Sequence, residues 1–414
     1  MKMKLEKVIK PLVVLLVAVV LQSCFFSKSG FSENSNWVGT WSTAPQLVEP
    51  HNMPPQPGLS DNTIRQIVQV SIGGEILRFK FSNAFSNSPV EIKSVAIAES
   101  TENSSINILT QEILKFNNNQ NATINPGEEL FSDPVKFKLK PGSKLAITIY
   151  FGKTAPDVTG HPGSRTTSYI LAGNNIESAD FSDAIKTDHW YSISGIDVLT
   201  RKDSKAIAVL GNSITDGRGS GTNMQNRWPD ILAGRLLKNE KTSNIGVLNL
   251  GIGGNCVLRG GLGPTALERF DRDILSQSSV QWLIILEGIN DIGTINSENE
   301  AESIAKELIS AYDEMIKKAH EKNILVYGAT ILPFAKSFYD TPHRQKSRDI
   351  VNEWIRNSGR FDAVIDFDEI MRNPNDEKTI LPDMHDGDFL HPNEAGYRRM
   401  GEGVELKLFE APNL

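Results

Sequence analysis

The sequence predicts a chain in two parts, an antiparallel β-sandwich followed by an α/β region built on a parallel sheet. Three observations predict it. From Trp37 to about Thr200, apolar and polar residues alternate at period two and long helical periodicity is missing. From about Lys205 onward, short apolar runs take turns with segments of helical period. A length of 414 residues exceeds what one compact domain usually needs, which fits two domains at 37–200 and 201–414.

In the first part, the run 67–72 leads into Gly73-Gly74, and 76–81 alternates on the far side. That pattern predicts a hairpin. Segments 135–139 and 145–150 flank Pro141-Gly142 in the same way. Strands of this kind need two faces packed together, hence the sandwich. In the second part, strands are expected at 206–210, 247–250, 282–286, 324–327 and 363–365. Helices are expected near 228–237, 265–275, 298–320, 343–357 and 393–408. Repeated βα units of this spacing imply a parallel sheet covered by helices on both faces. In such sheets ligand sites collect at the carboxyl ends of the strands.

The N-terminus has the form of an export signal. Lys2, Lys4, Lys7 and Lys10 precede the apolar run 11–21, which is too short to span a bilayer as a mature helix. The run ends in Leu21-Gln22-Ser23-Cys24, which resembles a bacterial lipobox. The expectation is a signal peptide over 1–23, a lipid on the Cys24 sulfur and a Ser/Asn/Gly-rich tether over 24–36. That places the protein in the bacterial cell envelope, held to a membrane on its periplasmic or cell-surface face. The formal charge of −7 without a Lys/Arg stripe argues against a nucleic-acid partner. Only one further cysteine exists, so with Cys24 lipidated no intramolecular disulfide is available, and Cys256 reads as a buried filler.

Four segments carry polar residues just after predicted strands or in the last loop. Gly211-Asn212-Ser213-Ile214-Thr215-Asp216-Gly217 follows the first strand of the second part. A serine there projects into a cleft, although alone it reads first as a helix cap. Asp388-Phe389-Leu390-His391 spaces a carboxylate and an imidazole three apart, on one side of a turn. A carboxylate on one ring nitrogen leaves the other free to take a proton from serine. Grouped with His385, the same residues read as a metal site, but no recognised zinc spacing accompanies them. Asn249-Leu250-Gly251-Ile252-Gly253-Gly254 and Gly288-Ile289-Asn290-Asp291 supply a glycine-rich turn and an amide suited to a developing oxyanion. The glycine turn lacks the spacing of a dinucleotide loop, and no cofactor or metal is expected.

Gly211-Asn212-Ser213, Gly254, Asn290 and Asp388-x-x-His391 occur in the order of the four blocks of SGNH, or GDSL-type, hydrolases, which the region from Lys205 onward resembles. The resemblance implies a flavodoxin-like α/β/α domain and metal-free hydrolysis of carboxylic esters. It implies Ser213 as nucleophile, His391 as base, Asp388 as its orienter, and Gly254 and Asn290 as oxyanion donors beside the Ser213 N–H. Asn212 stands where the family name has aspartate. Trp37-Val38-Gly39-Thr40-Trp41 and Thr63-Ile64-Arg65-Gln66 resemble the leader of a subgroup with an N-terminal β-domain, which includes esterases of acetylated plant polysaccharides. Trp37 and Trp41 read as core packing ahead of sugar stacking. The expected substrate is an acetylated glycan. A lipid or lysophospholipid ester, or glycan binding without turnover, are the other readings.

Overall fold

The computed structural model describes residues 35–410. The expected signal peptide 1–23, the Cys24 lipidation site and the tether up to residue 34 lie outside the described residues. Strand Ser35–Ser42 begins two residues inside the stretch expected as tether.

The first part is antiparallel β, as its period-two pattern predicts. One sheet joins Ser35–Ser42, Ile193–Arg201, Gly74–Ser82 and Glu129–Phe131, with Val135–Leu139 also on Gly74–Ser82. A second joins Asn62–Gln69, Lys144–Phe151 and Val90–Glu99 as neighbours, extended by Ser168–Ala172 on one side. Ile64, Val68, Val95, Ile147 and Ile149 of this sheet share an apolar core with Leu77, Phe79, Phe81, Ile196 and Val198 of the other. Trp41 is buried edge-on against Trp190, with ring centroids 5.0 Å apart, and Arg78 lies 4.6 Å over the Trp37 ring.

Both expected hairpins are absent. Asn62–Gln69 and Gly74–Ser82 belong to different sheets, and so do Val135–Leu139 and Lys144–Phe151. The connectors at Gly73-Gly74 and Pro141-Gly142 are arches that carry the chain from one sheet to the other. Each arch crosses close to the other, since a Cβ at Gly73 would stand 2.3 Å from the Leu139 carbonyl oxygen and 2.7 Å from the Pro141 ring. Period two identifies a strand but not its partner. These strands pair instead with segments tens of residues away, such as Lys144–Phe151 with Asn62–Gln69.

The second part is a parallel sheet with the order Ile245–Gly251, Lys205–Gly211, Val280–Leu286, Leu325–Ala329, Ala363–Ile365. Numbered along the chain this is 2-1-3-4-5, the flavodoxin-like order, and its switch point lies between the first and third strands. Along Lys205–Gly211, Ala206, Ala208 and Leu210 join the cluster containing helices Glu298–His320 and Pro342–Asn357. Ile207 and Val209 join the opposite cluster with helices Trp228–Lys238 and Glu394–Gly403. A strand buried on both faces is apolar at every position, which is why 206–210 reads as a continuous run.

The two parts dock along the edge strand Ile245–Gly251. The Val247 N–H donates to Ser71 Oγ at 3.0 Å, and Ser71 Oγ donates to the Thr40 carbonyl at 2.6 Å. Gly246 makes this approach sterically possible, because a Cβ there would lie 2.2 Å from the Gly39 carbonyl oxygen. The β-rich part thus covers an edge that would otherwise present unpaired backbone. It also brings its loops to the carboxyl ends of the parallel strands.

Candidate active site

The strand Lys205–Gly211 ends in a tight turn into the short helix Ser213–Asp216. Asn212 caps that helix, its side chain accepting from the Ile214 N–H at 3.1 Å. A Cβ at Gly211 would stand 2.1 Å from Thr215 Oγ1, and Gly217 ends the helix at φ +101°. The turn is therefore built for glycine at both ends, with Ser213 at the first helical position. Its N–H lies in the first turn, where no intrahelical acceptor exists.

The Asp388–His391 loop reaches the same point from the C-terminal end. Ser213 Oγ is 2.9 Å from His391 Nε2, and His391 Nδ1 is 2.6 Å from Asp388 Oδ2. The second Asp388 oxygen accepts the Leu390 and His391 N–H groups at 2.9 Å each, which fixes the carboxylate against its own turn. Burial works against the Asp388 charge, yet the bonds from His391 and the backbone hold the group below its ordinary range. With Nδ1–H committed to the carboxylate, Nε2 carries the lone pair that faces serine. Burial lowers the His391 pKa, with Asp388 opposing and the Arg218 charge adding to the effect.

Gly254 and Asn290 line the same cleft as Ser213. Gly254 sits at φ +71° in the turn after strand Ile245–Gly251. Asn290 is held at both ends of its amide: Nδ2 donates to the Asn255 carbonyl at 2.7 Å, and Oδ1 accepts from the Tyr339 hydroxyl at 3.0 Å. One Nδ2 hydrogen remains for a ligand. Tyr339 carried no signal in the sequence, because it lies in an irregular loop far from the four blocks.

Behind this front lies a buried polar layer that sequence reasoning also missed. The Arg269 guanidinium is fully buried and donates to the carbonyls of Gly211 at 3.1 Å and Leu250 at 2.7 Å, to Asn255 Oδ1 at 3.0 Å and to Asp273 at 3.2 Å. One side chain thereby ties the nucleophile strand to the glycine turn. Glu287 Oε2 accepts from Asn212 Nδ2 and from the Gly288 N–H, each at 3.2 Å. Burial raises the Glu287 pKa to about 8 against the pull of Arg269. Asn212, in place of the usual aspartate, thus gives this carboxyl a donor. Asp291 accepts the Val257 and Leu258 N–H groups at 2.8 and 2.9 Å and anchors the segment after the glycine turn. Cys256 is buried there, and burial pushes its thiol up to about 12, which fits a filler.

The β-rich part contributes one side of the cleft. His161 Nδ1 donates to the Ala44 carbonyl at 2.9 Å, and Nε2 lies 2.9 Å from Asp216 Oδ1. Both side chains are almost fully buried. The pair links the β-rich part directly to the helix that bears Ser213. Arg165, from the same β-rich loop, enters the cleft with Nη2 4.0 Å from Asp216 Oδ2. The cleft is open and encloses about 450 Å³. His385, the third member of the possible metal group, instead accepts the Gly387 N–H and lies against Phe389 with ring centroids 4.1 Å apart.

A serine bonded to an imidazole that is itself bonded to a carboxylate, at the carboxyl ends of a parallel sheet, is the arrangement of a serine hydrolase. Residues 209–399 match the GDSL-like Lipase/Acylhydrolase family. The C-terminal part of the chain belongs to that family, and the protein is a carboxylic ester hydrolase of it. None of the curated proteins matches the chain. Similar solved structures include a member of the lipolytic protein G-D-S-L family from Veillonella parvula, 22% identical, covering 50% of this chain and 98% of that one at a TM-score of 0.35. A GDSL-like lipase from Bacteroides thetaiotaomicron is 19% identical over 51% of this chain and 90% of its own, at 0.36. A catalytic mutant of an acetylxylan esterase from Geobacillus stearothermophilus is 18% identical over 48% and 91%, at 0.36.

Proposed function

We propose that this protein removes acetyl groups from polysaccharides or oligosaccharides in the cell envelope, where a lipid on Cys24 holds it to the membrane. The observation that carries the reading is the continuous chain from Ser213 Oγ through His391 to Asp388, at 2.9 and 2.6 Å. Ser213 Oγ attacks the ester carbonyl as its proton passes to His391 Nε2, and Asp388 stabilises the imidazolium. The oxyanion is received by the N–H groups of Ser213 and Gly254 and by the free Asn290 amide hydrogen. His391 returns the proton to the leaving alcohol, and an acetyl ester of Ser213 remains. Water, deprotonated by His391, then releases acetate and restores the serine.

The character of the cleft supports a glycan over a long acyl chain. Each methylene moved out of water contributes about 0.8 kcal/mol, so a long-chain site needs an extended apolar groove. This cleft instead mixes Gln46, Asn52, His189 and two arginines with a few apolar side chains. Phe338 is 67% exposed at its edge and packs on Tyr339 with ring centroids 4.4 Å apart, a platform suited to the face of a sugar.

The test is acid release from acetylated glycans, short aryl esters and long-chain lipid esters by wild type and Ser213→Ala. Acetate release from glycans is expected, with a loss in the folded variant of about 10⁴-fold or more. Serine-dependent activity confined to long-chain esters moves the substrate to lipids. Wild-type turnover by Ser213→Ala removes the nucleophile assignment.

A further inference from the structure

Most charged groups at the cleft have partners. Asp388 is bonded to His391, and Asp216 to His161. Glu49 accepts from Gln46 and Asn52 at 2.6 and 3.0 Å. Two arginines are the exceptions. Among the described residues, Arg165 Nε is buried without a hydrogen-bond partner, and the one ion contact of this guanidinium is the 4.0 Å approach to Asp216, whose other oxygen His161 already occupies. The exposed Arg218 guanidinium makes no hydrogen bond, ion pair or ring contact among the described residues.

Neither arginine is carried on a loose segment. Arg165 has φ +51°, a left-handed conformation unusual for a side chain of this size, and its carbonyl accepts the Asn223 N–H at 2.9 Å. The preceding Ser164 is buried, with its hydroxyl hydrogen shared between the Thr166 and Asp188 carbonyls at 2.9 and 2.8 Å. At Arg218 the N–H donates to the Ser213 carbonyl at 2.9 Å, and the carbonyl accepts the Tyr397 hydroxyl at 2.6 Å. Two anchored backbones, one from each part of the molecule, thus hold guanidinium groups with unused donors in the cleft that contains Ser213 and His391. Backbone held in a sparsely populated conformation, with an unpaired polar atom beside it, is a common mark of a ligand site.

The side of the ester that these groups meet follows from the chemistry. His391 hands its proton to the leaving alcohol, so the alcohol half lies on the imidazole side of the cleft. Arg218 is close enough to His391 to act on its charge. Arg165 stands beside Asp216, three residues from the nucleophile on the same short helix. Resting on the esterase reading above, we infer that Arg165 and Arg218 form an anionic subsite, and that the alcohol half of the preferred ester carries a carboxylate or phosphate close to the cleaved bond. Guanidinium forks match either group by paired N–H donors. Within the glycan reading, the substrate is an acetylated uronate-containing saccharide and not a neutral one.

Matched pairs of substrates test this. The first pair is an acetylated methyl galacturonoside and the galactoside acetylated at the same position, which differ only in carboxylate against CH₂OH. The second is an acyl glycerol phosphate and the monoacylglycerol with the same chain. The readout is the ratio of kcat/KM for the charged over the neutral member, in full-length wild type and in Arg165→Gln, Arg218→Gln and the double variant. Wild type is expected to favour the charged member of one pair by about tenfold or more, and less so at high salt. The double variant should bring that ratio close to one, mainly through KM. Preference within the saccharide pair identifies a uronate, and preference within the glycerol pair a phosphate. Ratios near one in wild type, or a wild-type ratio kept by the double variant, overturn the subsite while leaving a Ser213-dependent esterase intact. Failure to hydrolyse any of the four overturns both.

Discussion

The floor and the rim of the cleft hold their polar groups under opposite conditions. On the floor, Ser213, His391, Asp388 and Asn290 each have a partner that sets their geometry, and Arg269 braces the strands beneath them. At the rim, Arg165 and Arg218 have anchored backbones, Arg165 Nε and the Arg218 guanidinium have no hydrogen-bond partner among the described residues, and Phe338 is two-thirds exposed. Preorganised donors act on charge that develops in any ester during attack, so a fixed floor serves the chemistry common to all esters. Donors left free of protein partners discriminate by what they are offered. The division teaches where to look for each property: rate on the floor, selectivity at the rim.

Asn290 offers the largest way to break this division. Asn290→Ala removes a donor from the floor and is expected to lower kcat about 100- to 1,000-fold with little change in KM. Tyr339→Phe keeps the amide but frees its oxygen, so a smaller loss of about tenfold in kcat is expected. Steady-state kinetics on a short neutral ester separates the cases. A change confined to KM in Asn290→Ala would place that residue at the rim.

Much of the floor was legible in the sequence, and the physical reason is local. Ser213, Gly254 and Asn290 each fall directly after an apolar run long enough to be a strand, and strand ends converge in a parallel sheet. Asp388 and His391 are three apart, so their contact is set within one turn. The bracing layer was hidden because its residues look ordinary in one dimension. Arg269 lies in Glu268-Arg269-Phe270-Asp271-Arg272-Asp273, a charge-rich stretch that reads as a solvated helix face, whereas its side chain is fully buried. His161 and Asp216 are 55 positions apart and meet only because the β-rich part covers the edge at Ile245–Gly251. The arches at Gly73 and Pro141 escaped for the same reason, since alternation fixes which face a residue takes but not which strand lies beside it.

His161 sharpens the comparison from the side of stability. His161→Ala leaves the Asp216 carboxylate buried, with Oδ2 already lacking a hydrogen-bond partner and Oδ1 newly unpaired. Removing one member of a buried pair costs about 3–5 kcal/mol, which urea unfolding would read as a lower midpoint at unchanged slope. Asp216→Asn in the same background should recover part of that loss, because it removes the charge that had been stranded. A loss below about 1 kcal/mol in His161→Ala would mean that the His161–Asp216 contact adds little to the joining of the two parts.

The smallest effect is a matter of pH, and it again tells floor from rim. Serine attack needs neutral His391, so kcat/KM on a neutral ester must rise with pH through the pKa of that imidazole in the free enzyme. Burial and the Arg218 charge lower this pKa below its ordinary 6.5, more than Asp388 raises it. The rise should therefore be centred below pH 6.5. The same sign governs folding. An imidazole that holds its proton less tightly when folded than when unfolded adds stability above the unfolded pKa, and loses it as pH falls toward the folded one. Activity and stability should thus decline together on acidification. A kcat/KM inflection above 6.5 would mean that Asp388 outweighs burial, and that the floor is wetter than its packing implies.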